Sequence, residues 1–253
     1  MKIFIINLID DIAKKHDMLS QLQQLDIKNY DFIQAVNGKA LTVKEVHEKV
    51  YDYPKCQLTS GEIGCALSHY QIYKKMVDEN ISSVIVLEDD ILLPKGFNKL
   101  ITSLKMTMDT EQAKILTLGK AERFFRLNNQ HLRFLPDEYS VISSYGTYAY
   151  CINLAAAKNL VKHLLPIKYE ADMFRYFREN GWIDSFNVIY PQAVEIVSNH
   201  DDISNIHAER YPLIQARKKY RVKQILNKRP LWIRFKARLQ RIFWKFKQIK
   251  VDR

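Results

Sequence analysis

Residues 83–94 read Ser-Val-Ile-Val-Leu-Glu-Asp-Asp-Ile-Leu-Leu-Pro, and this stretch decides the fold class. Ser83–Leu87 is a short β-branched run, apolar on both faces, as in a strand buried inside a sheet. It runs straight into Glu88-Asp89-Asp90, and apolar residues resume at once. Open α/β sheets place their ligands at the carboxyl ends of such strands. Adjacent carboxylates repel one another unless a cation or hydrogen bonds compensate. Hard oxygen donors favour Mg²⁺ or Mn²⁺, ions that bridge to substrate phosphates. The triad therefore reads as a metal site. A solvated acidic turn, as Asp10-Asp11 and Asp201-Asp202 could each be, is the competing reading.

On either side, strand and helix patterns alternate. Lys2–Leu8 (KIFIINL) reads as another buried strand, followed by a helix over about 11–25 and a strand at Asp31–Val36. A helix and loop cover 40–54, and a long helix covers 61–79. Beyond the triad come a helix at 95–106 and a strand at Ala113–Leu118. Residues 121–143 suit a hairpin and Tyr148–Asn153 a strand; helices follow at 155–165 and about 170–180, then an extended stretch at 186–197. This alternation predicts an α/β fold with a mostly parallel sheet flanked by helices.

The 253 residues are 26% charged and 47% hydrophobic, which describes an ordinary globular chain. The net charge of +11 is unevenly spread: residues 217–253 hold 15 Lys or Arg and one acid, Asp252, for +14, which leaves −3 for residues 1–216. The expected division is thus one folded domain over 1–216 and a basic tail over 217–253. A slightly acidic body argues against a nucleic-acid partner, whose binding fold would carry the basic surface itself. Three cysteines without zinc-like spacing suit a reducing compartment. No apolar run approaches the ~20 residues that span a bilayer, and the N-terminus lacks a cleavage-site pattern. A cytoplasmic location is expected.

The stretch Thr59-Ser60-Gly61-Glu62-Ile63-Gly64-Cys65-Ala66-Leu67-Ser68-His69 has capping-box spacing between Thr59 and Glu62. Small residues at 64, 65 and 68 permit close backbone approach. By itself this is a capped helix, and His69 alone reads as structural sooner than catalytic.

Taken together, these motifs resemble glycosyltransferase family 25, which includes bacterial lipopolysaccharide and lipooligosaccharide transferases and collagen galactosyltransferases. The resemblance rests on Asn7-Leu8 with Lys14-Lys15, Gly61-Glu62-x-Gly64-Cys65-x-x-Ser68-His69, Val86-Leu87-Glu88-Asp89-Asp90, Gly146-Thr147-x-Ala149-Tyr150 and Asp172. It implies a GT-A fold, in which a Rossmann-like sheet binds a nucleotide sugar. It also implies Mn²⁺ (or Mg²⁺) held by Asp90 and Asp89, with Glu88 on ribose or behind the ligands, and His200 as a further ligand with His207 in reserve. Asn7, Lys14, Lys15, Ser68, His69, Gly146 and Thr147 become candidate donor contacts. Lys14-Lys15 departs from the arginines common in the family, because lysine cannot make their bidentate phosphate contact. The implied reaction is inverting transfer of a hexose, galactose from UDP-galactose, to a lipid-linked oligosaccharide acceptor. Asp172 is the candidate base, against a helix-cap alternative; Glu122 and Asp184 are lesser candidates.

In the tail, Trp232, Phe235, Leu239, Ile242, Phe246 and Ile249 recur at helical spacing among Lys and Arg, after Pro230 at a helix start. This is the composition of a helix lying on an anionic membrane, which would hold the protein at the inner face of the cytoplasmic membrane. The alternative is that the stripe docks on the protein's own body. A function of a different class, a non-catalytic polybasic adaptor for membrane or nucleic acid on an α/β body, competes with the enzyme.

Overall fold

Strand β1 (Lys2–Asn7) lies between β2 (Tyr30–Gln34) and β3 (Ser83–Glu88), parallel to both, so three carboxyl ends point the same way. The computed structural model describes residues 1–126, 137–196, 209–247 and 249–250. Between β1 and β3 run α1 (Ile12–Gln24), α2 (Val43–Lys49) and α3 (Ser60–Asp78). After β3 come β4 (Ile91–Leu92), α4 (Phe97–Met108), β5 (Lys114–Thr117), β6 (Ala121–Arg126), β7 (Asp137–Ser144), β8 (Ala149–Asn153), α5 (Leu154–His163) and α6 (Phe174–Glu179). The chain closes with β9 (Ser185–Tyr190), β10 (Glu195–Ile196), α7 (Ile214–Tyr220), α8 (Leu231–Lys247) and β11 (Ile249–Lys250).

The main sheet has the order β11-β6-β7-β9-β5-β8-β3-β1-β2. Strands β1, β2, β3, β5, β6 and β9 share one direction, while β8, β7 and β11 oppose them. The expected α/β class holds, and the antiparallel strands lie beside β3 and at the far edge. Alternate residues of each central strand feed two cores. Phe4, Val84 and Val86 pack with Ile72 and Tyr73 of α3 and with α5. Ile3, Ile5, Ile85 and Leu87 pack with Met18 and Leu22 of α1 and with α4. Burial on both faces is why these strands read as unbroken apolar runs.

The boundary expected at 216/217 falls inside α7, and Arg217 is only 3% exposed. Its guanidinium pairs with Glu62 and lies 3.1 Å from Glu170, and it donates to the Gln57 carbonyl at 2.7 Å. Arg221 also pairs with Glu170. Arg229 and Arg241 reach Glu179 at 2.9 and 3.0 Å, joined by Arg175 at 3.0 Å. Part of the tail's charge is therefore internal: it neutralises three buried carboxylates of the body. The tail is not a separate appendage through residue 241.

Burial raises the pKa of Glu170, but Arg221 and Arg217 outweigh it and hold the carboxyl below its ordinary range. Arg241, Arg175 and Arg229 do the same for buried Glu179. A depressed folded-state pKa stabilises above the unfolded value, about 4.3 for Glu, and that stabilisation is lost as pH falls through the folded value. The contribution of Glu170 and Glu179 to the urea midpoint, read against their glutamine variants, should hold steady above about pH 5 and shrink below about 4.3. Arg217→Ala, which strands buried carboxylates, should cost about 3–5 kcal/mol at neutral pH by urea unfolding.

Candidate functional site

Strand β3 delivers Glu88 at its last position, and the turn to β4 carries Asp89 and Asp90. Each acid meets a different environment. Glu88 accepts from the Thr147 hydroxyl at 2.6 Å and faces His69 Nε2 at 3.5 Å. Burial alone would raise its pKa, yet His69, Thr147 and Lys14 together hold it below the ordinary carboxylate range. Asp89 accepts from the Asn7 amide at 2.7 Å and lies 3.9 Å from Lys14 Nζ. Burial, with Asp11 and Glu88, outweighs those partners and raises its pKa.

Asp90 is left over. Its Oδ1 is buried and has no hydrogen-bond partner. Burial, then repulsion from Glu88 and Asp89, pushes its pKa up to about 6. An unpartnered buried carboxylate oxygen is costly. A divalent cation held by Asp90 and Asp89 would relieve that cost, so these hard donors fit Mn²⁺ or Mg²⁺.

The residues around the triad are fixed by α3 and α1. The capping box forms as its spacing indicates: Thr59 N–H donates to Glu62 at 2.9 Å and Glu62 N–H to Thr59 Oγ1 at 3.3 Å. Gly64 is required by close packing, since a Cβ there would lie 2.4 Å from the Val36 carbonyl oxygen. Ser68 is 1% exposed; its hydroxyl donates to the Gly64 carbonyl at 2.7 Å and accepts from Val36 N–H at 2.8 Å. It pins the segment after β2 and has no hydroxyl proton left for a ligand. His69 is also buried, with Nδ1 2.8 Å from the Tyr150 hydroxyl, which in turn meets Tyr73 at 2.8 Å. It supports Glu88 from behind, where donor contact was expected.

Asn7 likewise spends its amide on Asp89 and on the Asp11 carbonyl at 3.0 Å. The two lysines separate. Lys14 faces the triad: burial works against its charge, but Asp89, Asp90 and Asp11 outweigh it and raise the pKa. Lys15 Nζ instead lies over the Phe32 ring, 5.1 Å from its centroid. Beside β1 and β2 opens a groove of about 600 Å³ whose walls include Leu8, Asp10, Phe32, Gln34, Asn37 and Gln71. The polar members Gln34, Asn37 and Gln71 belong to no local motif, and only the fold assembles them.

Gly146 (φ +81°) and Thr147 form a turn that links two carboxylates. Gly146 N–H donates to Asp172 Oδ2 at 3.1 Å, while the Thr147 hydroxyl donates to Glu88. Asp172 Oδ1 is buried without a partner, and Arg210 lies 4.0 Å from Oδ2. Burial and Glu170 raise the Asp172 pKa against Arg210, the Gly146 N–H and Arg221. Asp172 does not cap α6, which begins at Phe174 with Met173 as its N-cap and no side-chain cap bond. Asp184 accepts from Ala113 N–H at 2.8 Å, at the opposite end of the sheet. Glu122 accepts from Ser143 at 3.5 Å. His200 and His207 lie outside the described residues.

Cys65, His69 and Glu88 form a second donor set, their atoms within 4.8 Å of one another. Burial first, then Glu88, drives the Cys65 thiol pKa strongly upward, and Glu88 Oε1 already accepts from Thr147. A soft thiol does not suit Mn²⁺ or Mg²⁺, so Asp89 and Asp90 are the better donors for such a hard cation.

Residues 1–175 match the model of glycosyltransferase family 25 (LPS biosynthesis protein). The chain belongs to this family. Human procollagen galactosyltransferase 2 is 28% identical over 172 residues, 63% of this chain and 27% of that protein. A family 25 member from Anopheles gambiae is 31% identical over 206 residues, 73% of this chain and 33% of that protein. The human inactive family 25 member 3 is 25% identical over 205 residues, 72% of this chain and 34% of that one. The chain thus spans about a third or less of these curated relatives. Among solved structures, a putative glucose-1-phosphate thymidylyltransferase from Bacillus anthracis, in complex with a sucrose, is 16% identical with a TM-score of 0.41 over 86% of this chain and 95% of that one. A glycosyltransferase involved in glycosylating the major capsid of PBCV-1 is 12% identical with a TM-score of 0.33, covering 65% and 66%. Overlaps this loose add nothing to the family 25 fold as the sheet itself displays it.

Gly64→Ala should lower the unfolding free energy by about 1–3 kcal/mol, because backbone oxygen occupies the methyl's place. Thermal melting checks this; an unchanged midpoint would show that α3 and the β2 loop do not touch so closely.

Proposed function

We propose that this chain is a metal-dependent, inverting hexosyltransferase that moves galactose from UDP-galactose to a lipooligosaccharide or lipopolysaccharide core. Its acceptor is lipid-linked, and its place is the inner face of the cytoplasmic membrane. The observation that carries the reading is the half-buried Asp90 carboxylate, its Oδ1 enclosed and unpaired, located where the β1 and β3 ends meet Lys14. Lys14 offsets part of its charge but leaves Oδ1 without a hydrogen bond, and a diphosphate-bound cation would complete the compensation.

In this reading the groove beside β1 and β2 takes the nucleoside. Lys14 offers its ammonium to the diphosphate, and Asp89 is aimed by Asn7. Asp90 and Asp89 would hold the cation, which would supply electrostatic stabilisation for the departing UDP. Asp172 receives the acceptor hydroxyl proton on its unpartnered Oδ1, while the Gly146 N–H fixes Oδ2. Burial makes Asp172 a stronger base than a solvated carboxylate. As that proton leaves, the acceptor oxygen bonds to the anomeric carbon and the bond to the diphosphate breaks on the opposite face. The Gly146-Thr147 turn holds Asp172 in fixed relation to Glu88.

The test is transfer and hydrolysis across a panel of UDP- and GDP-sugars with Mn²⁺. UDP-galactose is expected to lead, EDTA to abolish turnover, and Asp90→Asn to reduce it by about 10²–10³-fold. Asp172→Asn should reduce transfer by about 10²–10⁴-fold with little change in KM for the donor. Lys14→Ala should weaken UDP binding, and Lys15→Ala should not. Turnover indifferent to EDTA would remove the metal from the account. A folded protein that neither binds UDP nor turns over any sugar nucleotide would leave the adaptor function standing.

A further inference from the structure

Helix α8 has two apolar faces, and the protein uses one. Ile233, Ala237 and Trp244 are buried against the body, with Trp244 beneath the Arg178 guanidinium at 4.7 Å and Arg241 on Glu179 at 3.0 Å. At 3.6 residues per turn, positions 232, 235, 239, 242 and 246 fall on the opposite side. Those side chains are exposed: Trp232 by 64%, Phe235 by 65%, Leu239 by 51%, Ile242 by 48% and Phe246 by 85%. Exposed Lys236 borders this stripe on one side, and Arg234, Arg238 and Lys245 border it on the other. Among the described residues, no carboxylate pairs with these four.

We infer that the outer face of α8 is a docking surface for an anionic lipid bilayer, while its inner face stays clamped to the protein. A contiguous apolar stripe with cationic borders matches an interfacial helix, its ring and aliphatic carbons below the headgroups and its ammonium and guanidinium groups among the phosphates. The same borders oppose a second copy, because pairing two such faces would bring like charges together. No helix among the described residues is long and apolar enough to cross a membrane, so the contact is parallel to the surface. The clamp makes the contact directional. It reaches α6 through Arg178 and Glu179, and α6 begins two residues after Asp172. On the transferase reading, the bilayer therefore lies on the acceptor side of the sheet, away from the β1–β2 groove.

The chain's three tryptophans make this measurable. The 253-residue chain retaining only Trp232 (Trp182→Phe, Trp244→Phe) is compared with one retaining only Trp244 (Trp182→Phe, Trp232→Phe). Each is mixed with phosphatidylcholine vesicles, with and without phosphatidylglycerol, carrying brominated acyl chains. The expected result is at least tenfold tighter binding to the anionic vesicles, with quenching of Trp232 and not of Trp244. Phe235→Glu/Leu239→Glu should abolish that binding without shifting the melting temperature or UDP-sugar hydrolysis. Equal quenching of both tryptophans would overturn the clamped, two-faced helix. No preference for anionic vesicles, or self-association abolished by the glutamates in place of vesicle binding, would overturn the lipid surface. Vesicle binding as expected, with no sugar nucleotide hydrolysed, would support the docking surface and count against the transferase alone.

Discussion

Carboxylates carried out of a buried strand have to be neutralised, and this requirement organises the protein around β3. Glu88 has His69 and Thr147, and Asp89 has Asn7 and Lys14. The supporting groups come from α3, the Gly146-Thr147 turn, β1 and α1, so four separate parts of the chain help to compensate the triad. Asp90 alone lacks such a partner at Oδ1. Two hydrogen-bonded acids and one without a partner at Oδ1 leave a demand for positive charge at Asp90, which the proposed cation would meet.

The same rule governs the C-terminal segment. Glu62 caps α3, Glu170 precedes Asp172, and Glu179 ends α6; all three are buried. Arg217, Arg221, Arg229 and Arg241 supply their counter-charges. The strongly basic tail is thus split in use: some arginines complete the body, and the exposed ones on α8 face outward. Removing the tail would therefore disturb α3 and α6 as well as any surface it touches.

Much of the fold was legible in the sequence because burial on both faces leaves unbroken β-branched runs, and because a capping box is a local signal. The acidic triad at a strand end was equally legible. Ser68 and His69 were harder to assign, since a small residue needed for packing and one needed for ligand approach look the same in sequence. The link from Gly146 to Asp172 spans 26 residues and that from Arg217 to Glu62 spans 155, and no periodicity reports such pairs. In α8 the larger aromatic stripe was visible, whereas the inner one has an alanine at its centre and emerges only against α6 and β6.

Anomalous scattering from crystals grown with Mn²⁺ and UDP tests the central claim most directly. The expected map places one manganese within bonding distance of an Asp90 carboxylate oxygen and of the UDP diphosphate, with the nucleoside in the groove beside β1 and β2. Manganese at Cys65, His69 and Glu88 instead, or UDP bound with no metal near Asp90, would contradict it.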